Sequence, residues 1–163
     1  MKKDFFVHPS AIVDKKAKIG SGTKIWAFAQ VRENAVIGKD CVIGNGVYID
    51  SGVQIGDRVN IQNKALLYRN LIVENDVFIG PAACFTNDPF PRANVIRDLK
   101  KKYWRVQEGA SIGANVCVLP ELNIGRFAMV GAGSVVTKHV PDHAVVSGVP
   151  AKISGSVPKK LKK

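Results

Sequence analysis

The amino-acid sequence predicts an all-β chain wound as a parallel β-solenoid. Three observations predict it: an aliphatic residue at every sixth position, a small or β-branched residue two places ahead of it, and turn-forming residues in the columns that follow. Counting in sixes from Val13 meets Val13, Ile19, Ile25, Val31, Ile37, Ile43, Ile49, Ile55, Ile61, Leu67, Val73, Ile79 and Phe85. With 46% of the chain hydrophobic, an unbroken run of that length has a chance probability of ~4 × 10⁻⁵. After an interruption the series resumes as Ile112, Val118, Ile124, Val130 and Val136.

The neighbouring columns are ordered too. Two residues before each aliphatic stand Ala11, Ala17, Thr23, Ala29, Ala35, Cys41, Val47, Val53, Val59 and Ala65, then Ala83, Ala110 and Val116. Glycine recurs directly after it, at Gly20, Gly38, Gly44, Gly56, Gly80, Gly113, Gly125 and Gly131. The next two columns are rich in Asn, Asp and Gly, residues that accept tight turns and positive φ. A six-residue period does not hold a stripe on one face of a helix with 3.6 residues per turn. Each hexad therefore reads as a short strand with one large and one small residue facing inward, then a turn. Such strands bury their apolar side only by coiling and stacking on the next coil through parallel backbone hydrogen bonds.

Composition narrows the functions. At 163 residues the chain is read as one domain large enough for a proper core. No apolar run is long enough to span a membrane, and Asp4, His8 and Pro9 interrupt any secretory signal at the N-terminus. Cys41, Cys84 and Cys117 are an odd set without CxxC spacing, so reduced thiols in a cytoplasmic protein are expected. The net charge of +11 is concentrated in residues 87–108 and 138–163. The Lys-rich end, from Lys159 to Lys163, lacks any nucleic-acid motif or regular aromatic interleaving. No nucleic-acid or membrane partner is expected; the basic tail reads first as a solvated segment and second as a field attracting phosphorylated small molecules.

Two segments break the repeat. Coils are expected over 7–86 and 109–137. Between them residues 87–108 form an excursion loop with two prolines, six basic residues and the aromatics Phe90, Tyr103 and Trp104. A long loop in a compact repeat is usually functional or disordered, and this content favours an ordered loop covering a ligand or a neighbouring subunit over a disordered excursion. Residues 138–163 form a closing segment and basic tail, where Pro141 and Pro150 are expected to stop the coil.

The [Ile/Val]-Gly-x-x-[Ala/Val]-x hexad resembles the left-handed parallel β-helix of the hexapeptide-repeat acyltransferases; the resemblance implies three hexads to each coil, and so about six coils from the eighteen hexads. Left-handedness is implied by that resemblance alone, since the usual chirality of parallel crossovers is right-handed. The string Val140-Pro141 through Gly148-Val149-Pro150-Ala151-Lys152 is similar to the segment these enzymes place over coenzyme A. The resemblance implies acetyl-CoA as co-substrate and a homotrimer with the ligand in the groove between two subunits. Lys138 and Lys152 are then candidates for its phosphates, Pro150 for the closing segment, and Gly113, Ala114 and Ala132 for backbone approach to its pantetheine arm. For Gly113 taken singly, a coil corner is the better reading.

A general-base histidine, common in O-acetyltransferases of this fold, has no counterpart: His8 precedes the first coil, and His139 and His143 lie in the closing segment. Nor are there three histidines placed for the zinc of a γ-type carbonic anhydrase; no metal is expected. An amine nucleophile fits better. Phe85-Thr86-Asn87-Asp88-Pro89-Phe90-Pro91-Arg92-Ala93, Ile61-Gln62-Asn63 and the stretch from Trp26 to Glu33 look like N-acetyltransferases of 3-amino sugars carried on UDP or dTDP for surface polysaccharides. Carried over, Asn87 sits beside the sugar amine and the thioester, Asp88 accepts a hydrogen bond from the amine, and Arg92 contacts the sugar nucleotide. Arg32, Gln62 and Tyr68, polar or aromatic where glycine is common, are candidate walls of the sugar pocket. Asn87 and Asp88 also fall in the turn columns, where a backbone role is equally open. An O-acetyltransferase on a sugar hydroxyl and a non-catalytic scaffold are the alternatives.

Overall fold

Most hexads form a strand of only two residues, such as Lys24–Ile25 or Asn60–Ile61, with the first pointing out and the second in. The computed structural model describes residues 4–95, 103–158 and 160. Residues 96–102 of the loop, and the basic tail apart from Lys160, lie outside the described residues.

The strands assemble into three sheets, visited in turn. The first begins Phe6–Val7, Lys24–Ile25, Val42–Ile43; the second Ile12–Val13, Gln30–Val31, Tyr48–Ile49; the third Lys18–Ile19, Val36–Ile37, Gln54–Ile55. Partners are parallel and 18 positions apart, as in Ile25 with Ile43 and Val31 with Ile49. Backbone bonds join the coils, for example Gly20 N–H to the Ile37 carbonyl at 2.8 Å. The aliphatic and small columns both point inward: Ile43, Ile61, Ile79, Ala29, Ala35 and Ala83 are each fully buried. One continuous core runs from Ile25 to Val146. The fold is thus an all-β solenoid with the stacking of a left-handed β-helix.

The two glycine-rich columns have different causes. The third residue after most of the aliphatics adopts positive φ whatever its identity, as in Asn34 (59°), Arg58 (55°) and Phe127 (52°). The glycine directly after the aliphatic does not; it is small because the next coil lies against it. A Cβ on Gly80 would stand 2.6 Å from the Gly113 carbonyl carbon.

The solenoid has about seven turns rather than six: seven strands stack in the second sheet alone. Val7 adds a rung below Val13, and Val140 and Val146 continue the columns past Val136. The coil also resumes earlier than residue 109. Trp104–Val106 stacks on Leu71–Val73, with Val106 in the aliphatic column and Trp104 buried. The six-residue count missed this because the insertion shifts the phase: partners there are 33 positions apart, as in Val73 with Val106. At the other end Val130 pairs with Val146, 16 positions on. Pro141 does not end the coil as expected. It takes the glycine column after Val140, where its missing N–H would face the end of the third sheet and no further coil needs it. The final strand Lys152–Ser156 turns back antiparallel against Ala144–Ser147 and covers the end of the first sheet.

Because Gly80 is held against backbone, Gly80→Ala is expected to destabilise by about 1–3 kcal/mol. Gly155→Ala, where nothing lies within 4 Å of the added carbon, is expected to cost under about 0.5 kcal/mol. Thermal unfolding of both variants beside the parent measures this; equal melting temperatures would refute the packing explanation.

Candidate functional site

Three edges run the length of the solenoid, one after each sheet, and the residue following the aliphatic tells them apart. After the third sheet it is mainly glycine: Gly20, Gly38, Gly56 and Gly125. After the first it is mixed, with Trp26 and Gln62 among Gly44, Gly80, Gly113 and Gly131. After the second it is never glycine: Asp14, Arg32, Asp50, Tyr68, Thr86, Leu119 and Thr137. Both breaks in register occur on this second edge. The loop leaves it between Phe85 and Val106, and the shortened coil crosses it between Val136 and Val140.

Stacking aligns residues of successive coils along the second edge. Leu67 pairs with Phe85, Phe85 with Val118 and Val118 with Val136, so Arg69, Asn87, Pro120 and Lys138 form one file. Asn87 is half-buried, and its side-chain amide makes no hydrogen bond to any described residue. Beside it, the Thr86 hydroxyl donates to the Val118 carbonyl at 2.9 Å. Asp88 stands in the column where Asn34, Gly52, Asn70 and Glu121 of this edge have positive φ but, like Lys16 and His139, does not itself adopt it. The backbone reason for Asn or Asp in that column is absent here. One Asp88 oxygen, Oδ1, accepts the Phe90 N–H at 2.8 Å and shapes the start of the loop. Arg92 is exposed and donates through Nη1 to the Pro91 carbonyl at 3.0 Å.

Below Asn87 lies a polar cluster that sequence reasoning reached only in part. Arg32 holds Glu33 through Nε at 2.9 Å and reaches the Tyr48 hydroxyl with Nη1 at 3.5 Å. Tyr48 donates to Asp50 Oδ1 at 3.1 Å, and Arg69 Nε meets Asp50 Oδ2 at 3.4 Å. The rings of Tyr48 and Tyr68 are 5.6 Å apart and tilted. Burial, with the Asp50 charge beside it, holds the Tyr48 phenol above its ordinary pKa. Tyr48, Asp50 and Arg69 were not singled out from sequence. A count in eighteens rather than sixes would have placed Asp50 between Arg32 and Tyr68 on a column without glycine.

Lys138, Pro150 and Lys152 come together around a cavity of about 320 Å³, with Thr137, His139 and Ile153 also on its wall. His139 Nδ1 accepts the Asn123 N–H at 2.9 Å. Gly113, Ala114 and Ala132 stand instead on the first edge, where Gly133 N–H donates to the Ala114 carbonyl at 2.8 Å. A Cβ on Gly113 would lie 2.8 Å from Ala132 Cα, so stacking alone requires that glycine. Gln62 also lies on the first edge, donating to Asn60 Oδ1 at 2.7 Å. Within one chain these four are separated from Asn87 by the width of the second sheet. Among the described residues no three His, Cys, Asp or Glu side chains group to hold a metal ion, and no helix is long and apolar enough to cross a membrane.

The six-repeat model of the bacterial transferase hexapeptide matches residues 16–51 and 34–69. The dTDP-3-amino-3,6-dideoxy-alpha-D-galactopyranose 3-N-acetyltransferase of Aneurinibacillus thermoaerophilus is 45% identical over 93% of this chain and 78% of its own length. Among solved structures, a mutant of the GDP-perosamine N-acetyltransferase of Caulobacter crescentus, in complex with CoA and GDP-perosamine, is 26% identical with a TM-score of 0.64, over 92% of this chain and 56% of that one. The acetyltransferase domain of PglB from Neisseria gonorrhoeae FA1090, in complex with acetyl coenzyme A, is 25% identical with a TM-score of 0.61, over 94% and 58%. The chain therefore spans a little over half the length of these two solved relatives. With its repeat, its solenoid and its near full-length likeness to a sugar N-acetyltransferase, this chain belongs to the hexapeptide-repeat acetyltransferase family.

Proposed function

We propose that the chain transfers the acetyl group of acetyl-CoA to the amino group of a nucleotide-linked amino sugar destined for surface polysaccharide, in the cytoplasm. Of the two nucleotides left open by the sequence, the 45% identical relative favours dTDP over UDP. The observation that carries the reading is Asn87. Among the described residues its amide is unengaged, at the point where the loop leaves the edge, in one file with Lys138 above and Arg69 below.

The residues fit coenzyme A. Lys138 and Lys152 bring two cations to one cavity, with Pro150 on its wall, suiting a phosphorylated ligand. Acetyl-CoA supplies an acetyl thioester already activated towards an amine. Asn87 Oδ1 accepts a hydrogen bond from the sugar N–H and turns the nitrogen lone pair towards the thioester carbon. The C–N bond forms, the C–S bond breaks, and the proton lost by nitrogen goes to the departing sulfur, directly or through water. Asp88 keeps one oxygen for the loop turn and has its other for the amine; Arg92 contacts the sugar nucleotide. A covalent cysteine route is not favoured: burial, with Cys117 adding, pushes the Cys84 thiol up and keeps it protonated at neutral pH. The chain works as a homotrimer in this reading. Gln62, Gly113, Ala114 and Ala132 on the first edge of one copy then meet Arg32, Tyr68 and Asn87 on the second edge of its neighbour.

Amino and hydroxyl forms of the same dTDP-hexose, offered side by side with acetyl-CoA, test the reaction. Turnover of the amine alone is expected; turnover of the hydroxyl alone would reverse the assignment to O-acetylation. Asn87→Ala is expected to lower kcat by about 10²-fold with a smaller effect on KM for acetyl-CoA. An unchanged kcat would remove Asn87 from the mechanism.

The cavity carries its own prediction. Replacing Lys138 and Lys152 together by Ala is expected to raise KM for acetyl-CoA about five- to tenfold, as exposed cations allow. Steady-state kinetics of the double variant, with near-parental kcat at saturation, would support it. An unchanged KM would place the phosphates elsewhere.

A further inference from the structure

Resting on the acetyl-transfer reading, we propose that Arg69 binds the diphosphate of the nucleotide-linked sugar and that the buried Asp50 is its positioning residue. Asp50 is only 4% exposed. Its Oδ1 accepts the Ser51 N–H at 2.7 Å and the Tyr48 hydroxyl at 3.1 Å. Its Oδ2 accepts the Arg69 backbone N–H at 3.2 Å and Nε at 3.4 Å. The Arg69 side chain remains 54% exposed. Held at its backbone and at Nε, it presents Nη1 and Nη2, which meet no acceptor among the described residues. A guanidinium fixed in this way offers two parallel donors to phosphate oxygens.

Two comparisons separate Arg69 from an ordinary surface arginine. Arg32, two coils lower on the same edge, has Nε and Nη2 on Glu33 and Nη1 on Tyr48, so its fork is already engaged by the protein. Arg58 likewise gives Nε and Nη2 to the two oxygens of Asp76. Arg69 keeps both terminal nitrogens outward, and its carboxylate partner is the buried one. Burying a carboxylate is costly unless its geometry is well satisfied; here that burial fixes the direction of a half-exposed arginine.

Position supplies the ligand. Arg69 lies one coil below Asn87 in the same file, because Leu67 pairs with Phe85. Neighbouring strands are about 4.8 Å apart, comparable to the span of one pyranose ring between a ring amine and the anomeric phosphate. A sugar with its amine at Asn87 therefore brings its diphosphate to Arg69. The tilted Tyr48 and Tyr68 rings stand beside that path.

The test uses the full chain and three variants: Arg69→Gln, Arg69→Lys and Asp50→Asn. Calorimetry with dTDP alone reads binding. Kinetics compare a dTDP-linked amino sugar with the methyl glycoside of the same sugar, which lacks the diphosphate. Arg69→Gln is expected to weaken dTDP binding about tenfold and to raise KM for the nucleotide sugar similarly, with the effect on that KM rather than on KM for acetyl-CoA. Arg69→Lys, a point charge without a fork, is expected to fall between the two. Asp50→Asn still accepts from Ser51 and Tyr48 but turns an NH₂ towards Arg69, so it is expected to move the same constants in the same direction. The gap between parent and Arg69→Gln should close on the methyl glycoside. Unaltered dTDP affinity in Arg69→Gln, or an equal loss on the methyl glycoside, would overturn the assignment. Should the parent acetylate no amino sugar, the acetyl-transfer reading falls, while the dTDP affinities still decide the role of Arg69.

Discussion

Strands of two or three residues have no stability of their own, and the hydrogen bonds from one coil to the next supply what each strand lacks. Those bonds impose a register of 18 residues, repeated from Phe6 with Lys24 to Asn60 with Phe78. Everything else in the molecule depends on that register. It keeps the aliphatic and small columns inward, and it presses Gly80 and Gly113 against the coil that follows. It demands positive φ at one position in most corners, and it sets outward side chains of equal phase above one another.

The same rule concentrates chemistry on one edge. On the first and third edges glycine is the commonest residue after the aliphatic. The second edge carries no glycine after its aliphatic residues, and both changes of coil length fall on it. The insertion opens the backbone at Asn87, and the deletion brings Lys138 and Lys152 to one cavity. Below them the buried Asp50 ties two coils together and directs Arg69 outward. A file of residues one coil apart thus has Arg69 and Lys138 at its ends and, between them, the Asn87 amide, which no described residue engages.

Much of this was legible in the sequence because the fold is periodic. The aliphatic column could be counted from Val13 to Phe85 without any structure, and the break after Asn87 could be seen as a failure of the count. The return of the chain was not legible: an insertion that is no multiple of six hides Val106, whose column membership depends on pairing with Val73. The end of the solenoid was misjudged for a related reason. Proline stops a strand that must donate to a next coil, and Pro141 has no next coil to serve. Asn87, Lys138 and Lys152 were named from motifs. Asp50 and Arg69 were not, because a period of six does not distinguish the three edges, whereas a period of eighteen does. Gln62 resembled Tyr68 in the linear pattern yet lies on a different edge, again a distinction that only the coil count makes.

In the proposed reaction, acyl donor and acceptor meet along the second edge, at the point where the coil opens. A crystal structure of the chain with coenzyme A and a dTDP-linked amino sugar tests this without an intermediate step. The sugar nitrogen is expected within hydrogen-bond distance of Asn87, the coenzyme A phosphates near Lys138 and Lys152, and first-edge residues of a neighbouring copy completing the groove. A sugar bound on the third sheet, or coenzyme A lying away from the file that joins Asn87 to Lys138, would contradict it.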